Sequence, residues 1–560
     1  MRSILGGGTA RPYLLLLPLL FLLLFFYLPM GTVLSRAFTA NGSFTVSRFT
    51  ALLSAPLTGR IVGFTFSQAL LSTLFSLSLG LPGAYLLSRF TFPGKGLLRS
   101  AAAVPFVLPP ILVVLGFVIF FGNNGFLNRA LMGIFDMQEP PLQVLYSLGA
   151  IILAHGFYNF PIALRVIASL WSELPPENEW AAKTLGARGS RLFFTVTLPQ
   201  ILPAILASAA LIFMFCFTSF AVILVLGGGP ANTTVEVEIY RLARTAFRPA
   251  DASALAVLAL GLTLGITYLY IKLQNRFSYR QELTAGTVGR LPARRPGPAA
   301  GAALLLYGLF VLLVVAGPML SIVIRSLQQP LSWAGEHQFT LHWYRQIFGS
   351  GEGNYASAAL PAIRNSVSIG VLAAVLAVPL GMAVSYLTAR YRFPGRRLLD
   401  TLVMAPLGIS SVVLGLGYLL LTRIMPDWLH GSPLMVVFAH AIIAYPFVVR
   451  AVSPVLSKIA PNRLRAAMVL GAPPLRVFRE IELPVITPSL LAGAAFAFAI
   501  SLGEINATIM LGGQVTTIPL VIYRLIGSYN FFGACALGTI LIAVCTAVFY
   551  IFDLYGDSGI

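Results

Sequence analysis

The sequence predicts an all-α polytopic membrane protein built as two parallel six-helix halves. Three observations carry this: a composition too apolar for a soluble domain, apolar runs of spanning length along the whole chain, and a block of residues that returns after 285 positions. Hydrophobic residues make up 58% of the 560 and charged residues only 10%, with a mean hydropathy of +0.86. Soluble domains carry about a quarter charged residues. A hydrocarbon core about 30 Å thick needs roughly 20 apolar residues per crossing. Runs of that kind fall near 12–34, 62–88, 100–122, 144–170, 201–226, 252–273, 302–326, 364–388, 400–424, 434–456, 486–511 and 534–553, which makes twelve helices.

The first run is too long for a signal-peptide core and lacks a small-residue cleavage site, so it is expected to remain as a span with no targeting segment removed. Arg89, Lys95 and Arg99 follow the second span. Arg276, Arg280, Arg290, Arg294 and Arg295 follow the sixth, and Arg390, Arg392, Arg396 and Arg397 follow the eighth. The positive-inside rule places all three loops, and with them both termini, in the cytoplasm of a multi-pass inner-membrane protein. The net charge of +19 is then one of orientation in lipid. These loops are too short to build the folded basic surface that a nucleic-acid partner requires. Residues 274–301 are polar, basic and rich in Pro and Gly, the composition of a linker. They separate a first half, 1–273, from a second, 302–560.

The halves repeat one another. WAAKTLG, Trp180 to Gly186, is followed by nine residues and VTLP, and RAAMVLG, Arg465 to Gly471, by nine residues and IELP. Ala154-His155, Phe160-Pro161 and Arg165 return at the same offset as Ala439-His440, Tyr445-Pro446 and Arg450. RFTFPGK from Arg89 recurs as RYRFPGR from Arg390, and LGGGPANTT…IY recurs as LGGQVTT…IY, ending at Tyr240 and Tyr523. An even number of spans per half makes the copies parallel. Counting spans from a cytoplasmic N-terminus puts 171–200 and 457–485 inside the cell.

Each of these two loops has a short helix, a glycine suited to positive φ (Gly186, Gly471), and a second amphipathic stretch ending at Leu198-Pro199 or Leu483-Pro484. The Ala181-Ala182 and Ala466-Ala467 pairs leave room for a partner's backbone, and Leu185 and Leu470 supply apolar anchors. Lipid contact alone demands an amphipathic face but no fixed register. Two copies that keep every spacing point instead to a docking surface.

The pattern resembles the EAA loop of binding-protein-dependent ABC-transporter permeases, in which EAA, three residues, glycine and nine residues precede I-x-LP. Ala181, Ala182, Gly186, Leu198 and Pro199 match in one copy, with Val196 at the isoleucine position; Ala466, Ala467, Gly471, Ile481, Leu483 and Pro484 match in the other. Trp180 and Arg465 stand where that family has its leading glutamate, and Glu179 lies one residue early. The resemblance implies a permease of the type I ABC importer kind whose loops seat in clefts on cytoplasmic ATPase subunits. Two loops imply two ATPase copies, and a periplasmic binding protein would dock on the outer loops 37–61, 123–143, 227–251 and 327–363. The fused two-half length resembles thiamine and ferric-iron permeases. LIFMFCFTSFAVILVLGGGPANTTVEVEIYRLA from Leu211 and AHGFYNFPIALR from Ala154 look most like the thiamine type. SLGEINATIMLGG from Ser501 is a general form that lacks the KELPAT version of iron permeases. Thiamine or a thiamine phosphate is the favoured solute, with ferric iron as the alternative.

A major-facilitator transporter also has twelve spans in two parallel halves. Its signature loop lies between spans two and three, whereas the strongest duplicated signal here lies between four and five. The chain has no GxxxxGK[ST] phosphate-binding loop, so no catalytic residue and no bound cofactor is expected, and ATP would be used by a partner subunit. The five histidines do not cluster by spacing as metal or acid–base groups would; His155 and His440 fit packed, hydrogen-bonded helix positions. Cys216, Cys535 and Cys545 fall in or beside spans without disulfide or metal spacing. Glu504 is an ionisable residue within the eleventh span, and Ser219 is its counterpart, each twenty residues beyond its Leu-Pro proline. A carboxylate at that depth faces a cavity or a partner. With Asn506 and Thr508, Glu504 is a candidate for the translocation path; a buried carboxylate bonding a neighbouring helix is the alternative.

Overall fold

The fold is described from a computed structural model over residues 2–3, 13–40, 42–99, 108–282, 294–330, 337–349, 354–392, 395–422, 425–512 and 515–556. Among these residues eleven helices are long and apolar enough to cross a membrane, and twelve when the pair Leu398–Gly408 and Ser411–Leu421 counts as one span. That pair is bent by 95°, so the straight ninth span expected at 400–424 is a broken one. The expected straight spans 201–226 and 486–511 are broken as well. Leu198–Phe217 is followed after a gap by Ala221–Leu226, and Leu483–Gly503 by Asn506–Leu511. The sixth span covers Pro249–Leu269, and its helix runs on to Glu282, into the stretch expected to be linker. The central part of the expected linker, 283–293, lies outside the described residues, and helix resumes at Pro298.

Local chemistry explains the boundaries. Proline, whose missing N–H costs nothing in a first turn, opens Pro56–Arg89, Pro110–Phe121, Pro433–Lys458 and other helices. Ser147 and Ser432, 285 positions apart, cap the fourth span of each half: their hydroxyls accept from Ala150 and Leu434 N–H at 3.2 Å. Before four of the deeper prolines the helix widens. Five-residue π turns at Leu23–Tyr27, Phe193–Thr197, Leu312–Ala316 and Phe478–Glu482 each end one residue before an X-Pro pair, and the X residue donates to the carbonyl five back. Proline would clash with the carbonyl four residues back and cannot donate to it; the wider turn absorbs both problems. Two of the four turns stand before Leu198-Pro199 and Leu483-Pro484, so the repeated Leu-Pro is a structural instruction.

The described residues form two compact units. One comprises Met1–Leu52, Ile239–Leu258 and Ser326–Ile560, the other Leu53–Glu238 and Ala259–Arg325. They do not follow the two sequence halves, because each half's first span packs with residues of the other half. In the first unit Tyr418 Oη donates to Phe25 O at 2.8 Å and Tyr27 Oη to Leu402 O at 2.8 Å. In the second Tyr307 Oη donates to Leu79 O at 3.2 Å. Small residues permit the approach: a Cβ on Gly417 would stand 2.7 Å from Pro29 O, and one on Gly83 would overlap the Tyr307 ring. Short antiparallel pairs, Thr39–Ala40 with Ser43–Phe44 and Gln328–Pro330 with His337–Phe339, follow these first spans.

Gly417→Val is therefore expected to destabilise the protein by about 1–3 kcal/mol through overpacking. Thermal unfolding in detergent should show a lower Tm than for Gly59→Val, whose added Cβ would meet nothing within 4 Å.

Candidate functional site

The two duplicated loops fold alike. Helix Pro176–Thr184 and helix Pro461–Val469 each end on the same cap: Leu185 and Leu470 N–H bond Ala181 and Ala466 O at 3.1 Å, while Ala187 and Ala472 N–H bond Ala182 O at 2.9 Å and Ala467 O at 3.0 Å. The six-residue closure requires a left-handed residue. Gly186 has φ +87° and Gly471 φ +85°. The inner face of each helix is buried at one equivalent position, Glu179 in one copy and Leu464 in the other. The outer face is not. Leu185 is 89% exposed, Leu470 87% and Trp180 53%, with Ala181, Arg465 and Ala466 exposed beside them. Large apolar side chains set among charged groups at a loop tip mark a surface made for contact. Burial of Lys183, together with Arg294 and Arg89 nearby, lowers its ammonium pKa below the usual lysine range.

Beneath each loop a matched aromatic pair anchors the following helix. Tyr386 meets Phe478 edge-on at 5.8 Å, and Trp171 lies between Tyr85 at 5.5 Å and Phe193 at 6.1 Å. Leu198-Pro199 and Leu483-Pro484 then start the broken spans.

Ser219 and Glu504 both sit in the breaks. In the first, His155 Nε2 bonds Ser219 Oγ at 2.8 Å and its Nδ1 bonds Ser72 Oγ at 3.1 Å. In the second, His440 Nδ1 bonds Ser501 Oγ at 2.8 Å and its Nε2 bonds Thr508 Oγ1 at 3.0 Å. Both rings are buried and spend both nitrogens on hydroxyls, so each pins the fourth span of its half to the broken one. Glu504 is half-buried and Oε1 accepts from Ala507 N–H at 3.0 Å; Asn506 Nδ2 donates to Ser411 Oγ at 2.9 Å. The carboxylate thus caps the short helix after the break. Gln68 Nε2 donates to Cys216 O at 2.8 Å beside the first break, a carbonyl that otherwise accepts a long bond of 3.4 Å from Ser219 N–H. Among the described residues no three His, Cys, Asp or Glu side chains converge as metal ligands.

Each unit holds its own candidates in two groups: first a loop with its Leu-Pro pair, 180–186 in one unit and 465–471 in the other, and second a break, with Ser219 in one unit and Glu504, Asn506 and Thr508 in the other. The histidine pins, foreshadowed by the repeated Ala-His, complete the second. Sequence periodicity did not reveal the breaks, because Thr218-Ser219-Phe220 and Glu504-Ile505 lie within otherwise continuous apolar runs. It also took Arg89 and Arg390 for lipid anchors alone. Arg89 bonds Glu179, and Arg390 Nε donates to Glu482 Oε1 at 2.7 Å.

Replacing both Gly186 and Gly471 by Val should strain each cap by about 1–2 kcal/mol, the cost of left-handed backbone for a side-chain-bearing residue. The variant should still insert in the membrane, and trypsin should cut faster beside exposed Arg188 and Arg476; unchanged cleavage would show that the caps tolerate the side chain.

Comparison with known proteins supplies the family. Residues 72–281 and again 377–559 match the binding-protein-dependent transport system inner membrane component. The thiamine transport system permease protein of Brucella abortus is 31% identical over 504 residues, covering 88% of this chain and 87% of that one. Its Escherichia coli counterpart is 28% identical over 503 residues, covering 88% of each. The ferric transport system permease protein of Actinobacillus pleuropneumoniae is 24% identical over 553 residues, covering 96% of this chain and 78% of that one. With duplicated loop caps, broken spans and a family match over most of its length, the chain belongs to the binding-protein-dependent inner-membrane transport permeases.

Proposed function

We propose that this permease carries thiamine or a thiamine phosphate into the cell, moving it between its two halves by alternating access. The observation that carries this is the 31% identity to a thiamine transport permease along 88% of the chain; the match to a ferric permease is weaker in identity. Both termini face the cytoplasm. A separate subunit hydrolyses ATP, and two copies of it seat on the exposed faces around Trp180, Leu185, Arg465 and Leu470, the surfaces whose exposure and matching caps favour docking. This chain itself holds no cofactor.

A solute-binding protein docks on the opposite side. Phe247 and Tyr529 support that surface: each occupies a left-handed turn, φ 54° and 59°, closed by Arg248 N–H to Leu242 O at 2.7 Å and Asn530 N–H to Leu525 O at 2.9 Å. Both are about four-fifths exposed. Aromatic residues in strained backbone, at matching places in the two halves, suit a two-point contact. In the path, Glu504 gives the second half a carboxylate where the first has Ser219. That asymmetry suits an asymmetric cation, and Asn506 and Thr508 lie beside it.

Identification of the ligand of the cognate binding protein by mass spectrometry and calorimetry tests the solute: thiamine is expected, and iron would overturn the assignment. Glu504→Gln keeps a cap acceptor for Ala507 and removes the charge. Uptake at limiting solute should fall at least about fivefold, near 1 kcal/mol of lost attraction for a partly screened pair. Unchanged uptake at limiting and saturating solute would leave Glu504 the capping role alone.

A further inference from the structure

We infer that an arginine–carboxylate pair in each half, half-buried in the first and buried in the second, is the link that carries motion of the docking loop to the break in the membrane. This rests on the loops being the ATPase-docking segments. Arg89 ends helix Pro56–Arg89 and Arg390 ends helix Asn354–Arg390, at equivalent places in the repeated RFTFPGK and RYRFPGR stretches. Each guanidinium meets a carboxylate from the duplicated loop, but the carboxylates are not equivalent. Arg89 bonds Glu179 on the loop helix, which Lys183 also approaches at 3.6 Å. Arg390 bonds Glu482, in the π turn beyond it. At the reciprocal positions the chain has Leu464 and Thr197, both buried. The acid has changed its place in the sequence while the contact between span end and loop is kept.

Stability alone is a poor account of such pairs, because desolvation offsets much of their attraction. Arg390 and Glu482 are 4% and 1% exposed, and Arg390 Nη2 is buried with no hydrogen-bond partner among the described residues. A hydrophobic contact would hold two segments together without leaving a donor unsatisfied. A charge pair adds direction, fixing the loop to one spot on the span end.

From each pair one continuous helix leads to a histidine pin. In the first half Arg89 shares its helix with Ser72, which bonds His155 and through it Ser219. In the second, Glu482 leads directly into the helix that carries Ser501, which bonds His440 and through it Thr508. At 1.5 Å rise per residue the two runs are about 26 and 28 Å long. Tight packing keeps neighbouring spans from slipping: a Cβ on Gly80 would stand 2.6 Å from Ala163 Cβ, and one on Gly381 2.6 Å from Val448 Cβ. Loop, charge pair, rigid helix, histidine and break form an unbroken physical chain of the kind that can carry energetic coupling between distant sites.

The test uses the full permease with its ATPase and binding protein in proteoliposomes, comparing Arg89→Gln, Arg390→Gln, the reversals Arg89→Glu and Arg390→Glu, and the exchanged pairs R89E/E179R and R390E/E482R. Each single variant should keep ATPase association yet lose at least about fivefold of the stimulation by loaded binding protein, within the usual range of coupling energies. The exchanged pairs should recover at least half of it. Unchanged stimulation in the Gln variants, or no recovery in exchanged pairs whose Tm matches wild type, would overturn the inference. Gly186→Val with Gly471→Val is the companion measurement: if that variant shows the faster cleavage of disrupted caps and still binds the ATPase, the docking assignment itself fails, whatever the charge pairs do.

Discussion

In hydrocarbon every backbone N–H and C=O must find a partner within the protein, and the rest of this structure is arranged around that constraint. A transport path needs helices that bend and break, and each such place exposes groups that water would otherwise serve. The chain covers them one by one. Four prolines are absorbed by π turns, Gln68 serves the Cys216 carbonyl, and Glu504 serves the Ala507 N–H. The hydroxyls of Thr65 and Ser366, equivalent in the two halves, accept from Val235 and Ile518 N–H at 3.1 and 2.8 Å.

Duplication kept the backbone and released the side chains. Caps, π turns and pins recur at matching positions, while the groups that fill them differ: Ser219 against Glu504, Trp180 against Arg465, Glu179 against Leu464. A single chain can therefore keep its two loops alike while its two breaks differ. Two separate identical subunits could not diverge in this way.

The sequence made some of this legible and hid the rest for identifiable reasons. Apolar run length revealed the spans because bilayer thickness sets it directly. Gly186 and Gly471 announced positive φ because few other residues adopt it, and the repeated Ala-His foretold packed histidines. The breaks at 218–220 and 504–505 were hidden because hydropathy does not register backbone dihedrals. Arg89 and Arg390 were seen as loop charges, for their partners lie about 90 residues away. The exchange of first spans left no periodic trace at all. It depends on glycines such as Gly83 and Gly417, whose meaning appears only when a neighbouring helix is beside them.

That exchange has a consequence for how the protein is made. Thr32 waits for a hydrogen bond to Gly417, 385 residues further on. At 5–20 residues per second the ribosome needs about 20 to 80 s to supply that partner. Throughout that interval the first span must lie in lipid with its tertiary contacts unmade, and the seventh span, arriving later, must slot back against helices already inserted. Neither half can reach its final packing as an independent folding unit. Joining them in one polypeptide delivers the awaited helix in equal number and to the same patch of membrane.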